Sequence, residues 1–340
     1  MLRLAAQRLV GERWDTPADA VRGLTAVQAQ DFPGALCSVA LRTRQAARAA
    51  VEAALDAGEV VRSWPMRGTL HLVAAEDLGW LVQTLAPRVL RASTRRRADL
   101  GLDEAALEHG RELSVEALDG PGLRRGELLA YWDAHGLSTS GQRGYHLLGY
   151  LAQTGTLCLG PLQDGEQRIV LVEQWIPSPR RLERDEALGE LALGYFRGHG
   201  PATVKDLIRW ANLVAADARA GTEAARSELM SVVVDGIEYL MDPQTPQRLD
   251  AARAEAEGVL LLPGFDELVL GYADRTMTVP AQFAERIVPG GNGVFRPTVI
   301  SGGRAVGTWR RAHKTIDAVP FTSFEPPVAD AIPAVFADLP

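Results

Sequence analysis

LRRGELLAYWDAHG (Leu123–Gly136), GQRGYHLLGYLAQTG (Gly141–Gly155) and LCLGPLQDGEQRIVLVEQW (Leu157–Trp175) follow one another in the chain, and their order decides the fold. The first reads as an amphipathic helix ended by Gly136. The second reads as a helix ended by Gly155, because glycine is favoured just past a helix C-terminus. The third is two apolar runs around Gln163-Asp164-Gly165-Glu166, and Asp-Gly is a strong two-residue hairpin signal. The expected unit is helix, turn, helix, hairpin.

Working outward, the same succession recurs on both sides. Upstream, Pro17 to Ala26 reads as a helix with Thr16 as its N-cap and Pro17 in its first turn. Gln45 to Ala57 reads as a second helix stopped by Gly58, and VVRSWPMRGTLHLV (Val60–Val73) as a hairpin. Downstream, Asp185 to Arg197 is an expected helix, Thr203 caps another beginning near Val204, and a further helix lies near Gly221 to Leu229. SVVVDGIEYLMD (Ser231–Asp242) then turns at Asp235-Gly236. Two crossed helices followed by a two-stranded wing is how a winged helix is built, so an internal repeat of three such units is expected. From Arg253 to Glu325 the chain is rich in Gly, Pro, Val and Thr, with strand-like runs VLLLP, PTVIS and AVGTWRR. The expected fold class is α+β: winged-helix units at residues 1–100, 101–180 and 181–250, then a mostly β, barrel-like segment over 251–340.

The composition admits this reading and removes others. Of 340 residues, 46% are hydrophobic and 23% charged, ordinary for a globular protein. No apolar run reaches the ~20 residues that span a bilayer, and the N-terminus lacks the apolar core of a signal peptide, so a cytoplasmic protein without a membrane partner is expected. Cys37 and Cys158, far apart and without nearby His, read as buried free thiols rather than a zinc or disulfide framework. The net charge is -7, but its distribution is uneven. Leu36 to Arg97 holds ten Arg against five acids, and Arg296 to Lys314 holds four Arg and one Lys with no acid. A basic face on an acidic chain is compatible with DNA binding.

Five motifs carry a resemblance. VQAQDFPGA (Val27–Ala35), RSWPMRGTLHLV (Arg62–Val73), GPATVKDLIRWANL (Gly200–Leu213), LPGFDELVLGYADR (Leu262–Arg275) and VGTWRR (Val306–Arg311) together resemble the winged-helix DNA-binding family that includes the bacterial DNA glycosylases AlkZ and YcaQ. They occur in the family's order and span nearly the whole chain. The family's catalytic signature is a glutamine, an apolar residue, and a second glutamine or an aspartate. Here it reads Gln28-Ala29-Gln30, similar to the glutamine–glutamine form of the AlkZ-like branch, with a small middle residue. The resemblance implies a monofunctional glycosylase for alkylated bases in double-stranded DNA, with interstrand crosslinks among its substrates, and Gln28 and Gln30 as the catalytic residues.

Two neutral amides suit such chemistry. Alkylation at purine N7 leaves a cationic base that is already a good leaving group, so the enzyme must position a water and stabilise charge on the sugar. In a helix, residues two apart lie on nearly opposite faces. The backbone at Gln28–Gln30 must therefore be extended or irregular, with the helix ending near Gln28 and Pro33 disfavouring helix at Phe32. Asp31 is expected to cap or to be solvated.

Candidate DNA contacts are Arg62, Arg67 and His71 in the first hairpin, Arg95 and Arg96 beside Arg97, and the basic run Arg310, Arg311 and Lys314. Trp64 and Trp309 read as packing residues. Asp266, Glu267 and Asp274 lack a neighbouring His or Cys, and Asp266 and Asp274 are expected to fix turns or pair with arginines such as Arg275. No metal is expected. Without a Walker motif, a nucleotide-binding glycine fingerprint or a Ser-His-Asp signature, no nucleotide cofactor is expected either. Lys205 and Lys314 are the only lysines, and neither reads as a lyase nucleophile. A monomer is expected. The competing readings are a non-catalytic winged-helix DNA-binding protein, such as a transcriptional regulator, and a scaffold that binds no DNA.

Overall fold

The three stretches around residue 140 fold as their composition dictates. In the computed structural model, which describes residues 1–340, they form the helices Arg125–Ala134 and Arg143–Gln153 and the strands Leu157–Gln163 and Glu166–Leu171. Gly136 and Gly155 take positive φ just past each helix, as a glycine C-terminus allows. The hairpin turns at Asp164-Gly165, both at positive φ, the conformation that a two-residue turn of this kind demands.

The chain divides into two units, one of Met1–Val51 with Leu188–Pro340, the other of Glu52–Ala187. In the unit Glu52–Ala187, the hairpin Val60–Met66/Thr69–Ala74 joins the hairpin Leu157–Gln163/Glu166–Leu171 through the antiparallel pair Arg62↔Leu159. The short strand Leu123–Arg124 pairs with Glu166–Leu171. The two hairpins therefore share one sheet. Trp64, Leu113, Leu128, Trp132, Leu147 and Ile169 form the core beneath it. Trp64 thus packs, as expected.

The unit of Met1–Val51 with Leu188–Pro340 holds the helix Pro17–Leu24, capped by the Thr16 side chain on the Asp19 amide, and the helix Phe32–Ala40. Its later helix Val204–Ala211 is capped by Thr203, as expected, and Asp206 completes a capping box. After the helix Ala215–Ala225, the hairpin Met230–Val234/Ile237–Met241 turns at Asp235-Gly236. A core of Leu4, Leu9, Leu249, Leu262, Ile300 and Phe321 lies behind the C-terminal sheet.

Two expectations are corrected here. The segment after residue 253 is not a barrel. Its strands Val259–Leu262, Thr298–Ser301, Arg304–Ala312 and Thr315–Pro320 form an open antiparallel sheet. It has only four strands, with the short Val259–Leu262 and Thr315–Pro320 left as its two edges, too few to curl round and close. The helix Pro326–Ala337 covers it through Val328 and Ile332 against Leu261 and Val299. Second, Pro33 does not keep Phe32 out of helix. Phe32 opens the helix Phe32–Ala40, with Pro33 in its first turn, where a missing N–H costs nothing. No helix is long and apolar enough to cross a membrane.

Candidate active site

The Gln-Ala-Gln segment is extended because both neighbouring helices stop short of it. The helix Pro17–Leu24 ends four residues before Gln28. Thr25 has φ 67° and ψ -45°, and the Ala26 amide donates to the Leu24 carbonyl at 2.8 Å. This is a γ-turn of the rare positive-φ kind, strained for a β-branched residue. Downstream, Asp31 is the N-cap of the next helix, its carboxylate accepting from the Gly34 amide at 3.3 Å. Between these stops, residues two apart point the same way. The Gln28 side-chain amide donates from Nε2 to Gln30 Oε1 at 2.9 Å. Ala29, on the other face, is fully buried. Gln28 is 6% exposed and Gln30 lies at the surface, so the pair runs from the interior to solvent.

Glycines set the wall behind this segment. The helix Arg184–His199 crosses close to it, and a Cβ at Gly198 would overlap the Gly23 carbonyl oxygen, while one at Gly194 would overlap Thr25 Oγ1. That helix also delivers His199 to the site.

Glu267 completes the arrangement, and sequence reasoning missed it. It is fully buried. Its Oε1 accepts from the backbone N–H of Gln28 at 3.1 Å. Its Oε2 accepts from Trp210 Nε1 at 3.0 Å and from His199 Nε2 at 3.2 Å. With Nδ1 of His199 buried and unpartnered, the imidazole with its proton on Nε2 is the form that avoids stranding a buried donor. Glu267 is then a buried carboxylate held by three N–H donors. The only sequence signal was its place in LPGFDELVLGYADR.

The neighbouring Asp266 is structural. It forms a bidentate, fully buried pair with Arg42, both N–O distances 2.9 Å, accepts from Ser38 Oγ at 2.6 Å, and caps the short helix Glu267–Leu270. Burial alone would raise its carboxyl, but the Arg42 guanidinium and these hydrogen bonds outweigh that and hold it below the usual value. Arg42 continues to Gln7 at 2.6 Å, Gln7 to the Tyr272 hydroxyl at 3.1 Å, and Tyr272 to the His199 carbonyl at 2.7 Å. The polar groups behind the glutamines thus form one connected buried network. Asp274 fixes a turn, accepting from the Thr276 amide and hydroxyl. Asp266 pairs with an arginine as expected, though with Arg42 rather than Arg275.

With this geometry in hand, the chain can be set beside known proteins. A model of the family described as DNA glycosylase AlkZ-like matches residues 21–339. The chain belongs to the AlkZ-like DNA glycosylase family. The interstrand DNA cross-link repair glycosylase of Streptomyces sahachiroi is 29% identical over 345 residues, which cover 95% of this chain and 90% of that one. The solved structure of the Streptomyces sahachiroi DNA glycosylase AlkZ superposes with a TM-score of 0.83 at 25% identity, covering 99% of this chain and 94% of that one.

The basic residues expected to serve this AlkZ-like enzyme are divided between the two units. Arg310 and Arg311 lie on strand Arg304–Ala312 and Lys314 in its exposed turn. Arg310 pairs with Asp317 at 2.7 Å, and Arg311 lies over the Phe336 ring at 4.7 Å. Trp309 packs, its indole N–H donating to the Leu262 carbonyl. In the other unit, Arg62 donates to Gln167 at 2.8 Å. Arg67 sits at φ 55° in the hairpin turn and meets His71 Nε2 at 2.9 Å. His71 is fully buried, with its other ring nitrogen on the Thr69 carbonyl. Burial first, and Arg67 second, push its pKa well below the ordinary value. Arg95 and Arg96 are exposed on the helix Thr94–Asp99, with Arg96 on Gln142 at 2.7 Å. Cys37 and Cys158 are buried free thiols.

Proposed function

We propose that this AlkZ-like glycosylase hydrolyses the N-glycosidic bond of cationic N7-alkylpurines in double-stranded DNA, bulky and crosslinked adducts included, with Gln28 and Gln30 as its catalytic residues. The observation that carries the reading is the hydrogen-bonded amide pair, anchored on a buried carboxylate at one end and open to solvent at the other. The Streptomyces sahachiroi relative is named for crosslink repair, which supports extending the substrate class to crosslinks.

The chemistry asks little of the protein. The C1′–N9 bond breaks and its electron pair returns to the purine, neutralising the N7 cation. A water oxygen bonds to C1′ and loses its proton to solvent, leaving an abasic site and a free base. The amide oxygens orient that water and direct their dipoles at the oxocarbenium-like sugar. A neutral amide is no general base near pH 7, so rate comes from placement and electrostatics. Glu267 acts as a positioning residue, fixing Gln28 through its backbone.

We propose further that the three helix–helix–hairpin successions serve as winged helices, in segments 1–100, 101–180 and 181–250 with 251–340 closing the chain, and that the protein works as a monomer. Arg62, Arg67, Arg95, Arg96, Arg310, Arg311 and Lys314 then supply phosphate contacts. His71, buried with both ring nitrogens engaged, orients Arg67 rather than touching DNA. The test is to incubate duplexes carrying either 7-methylguanine or an uncharged lesion with the protein, then to treat with alkali. Strand breaks at 7-methylguanine and few at the uncharged base are expected. Absence of breaks leaves the DNA-binding regulator and the scaffold, and equal breaks at both lesions refute the leaving-group argument.

A further inference from the structure

A second basic site lies on the outer side of the elements that hold Glu267. A cavity of about 470 Å³ is lined by Arg209, Arg275, Val269, Val279, Ile287 and Phe295, within the size range of small-ligand sites. Arg209 precedes Trp210 in the helix Val204–Ala211. Trp210 faces inward to Glu267, while Arg209 faces outward at the surface. Val269 follows Glu267 by two residues, and its carbonyl accepts from Arg275 Nε at 3.0 Å.

The two guanidiniums are set up for an anion. Arg275 is half-buried, with one edge on the Val269 carbonyl and its face over the Phe295 ring at 4.9 Å. Neither it nor Arg209 is paired with a carboxylate, although two carboxylates line the same cavity. Asp274 is committed to the Thr276 amide and hydroxyl at 2.9 and 2.7 Å, and Glu285 accepts from the Gly290 amide at 2.8 Å. Burial and the like charge of Arg209 both lower the pKa of Arg275. A partly desolvated cation near another cation, with no carboxylate paired to either, is unfavourable. A phosphate oxygen pair between two oriented guanidiniums removes the conflict through charge-assisted hydrogen bonds.

We propose that Arg209 and Arg275 bind one backbone phosphodiester of the substrate DNA, with the apolar floor around Phe295 receiving the adjoining sugar. This rests on the reading that the protein acts on duplex DNA, and it ties a phosphate grip to the same two helices that fix Gln28 through Trp210 and Glu267.

The test is the salt dependence of binding to an undamaged duplex, read by fluorescence anisotropy for wild type, Arg209→Gln, Arg209→Gln/Arg275→Gln and the surface control Arg253→Gln. The full-length protein is used, and thermal melting confirms folding. Losing one phosphate contact lowers the slope of log affinity against log salt by about 0.9. That loss is expected in the double variant, a smaller one in Arg209→Gln, and none in Arg253→Gln. Arg209 is exposed, so its single variant keeps the test valid if the double variant fails to fold. An unchanged slope in both overturns the proposal. So does calorimetric binding of inorganic phosphate that the double variant loses while its duplex slope stays intact, since the site then takes a free anion. Excision of 7-methylguanine by the same wild-type preparation separates the two readings. Excision with an unchanged slope removes only the phosphate site, and a lowered slope without excision removes only the glycosylase substrate.

Discussion

The backbone N–H of Gln28 donates to the carboxylate of Glu267 across 3.1 Å, linking residues 239 positions apart. The same carboxylate accepts from Trp210 and His199, so the backbone at Gln28 is located by three separate parts of the chain. The catalytic reading needs this, because amides that work by placement lose their effect when the backbone beneath them drifts.

Replacing Glu267 should therefore cost rate rather than affinity. In Glu267→Gln the carboxamide oxygen can accept from Gln28, but its NH2 group then confronts the N–H groups of Trp210 and His199. Single-turnover excision of 7-methylguanine is expected to fall roughly tenfold to hundredfold, the scale of a small misplacement, with duplex affinity retained. Adding Trp210→Phe removes one of these two confronting donors and should restore part of the rate. Equal losses in rate and affinity would show that Glu267 merely supports the fold.

Asp266 predicts an acid limb in stability. Its folded pKa lies below the ordinary value of 3.8. Its contribution is therefore fully present above pH 3.8 and is lost as the pH falls through the folded value. Urea unfolding should show Asp266→Asn to be less stable than wild type by roughly 3–5 kcal/mol near neutral pH, the cost of breaking a buried pair. The gap should narrow below pH 3.8. A gap that widens on acidification contradicts the assignment.

Gly198→Ala probes the wall behind Thr25. The added methyl would overlap the Gly23 carbonyl oxygen, and backbone cannot rotate aside as a side chain can. Thermal or urea unfolding should record a loss of about 1–3 kcal/mol from overpacking. Excision should slow as well, because the γ-turn at Thr25 sets the path into Gln28. A variant with wild-type stability would show that the helix Arg184–His199 does not constrain this segment.

Much of this architecture was legible wherever a local signal and the tertiary structure agree. Thr203 announces its helix as an N-cap, and Asp164-Gly165 and Asp235-Gly236 announce hairpins. The extended form of Gln28–Gln30 followed from helix geometry once the family resemblance had assigned both glutamines to one site. Its cause did not. Pro33 was read as a helix breaker, yet it occupies the first turn of Phe32–Ala40, as Pro17 does in its own helix. That helix is buried over Gly34 to Ala40, so it shows no polar face to betray a helical period. Glu267 was illegible for another reason. Its partners lie 57, 68 and 239 residues away, and no local spacing encodes them.

The most direct test of the account is single-turnover release of 7-methylguanine from duplex DNA by Gln28→Ala, Gln30→Ala and the double variant, with duplex affinity measured in parallel. The account predicts that base release collapses in all three while affinity survives, and that the double variant is little worse than either single one, since the two amides act as a unit. Undiminished release by the folded double variant would contradict it.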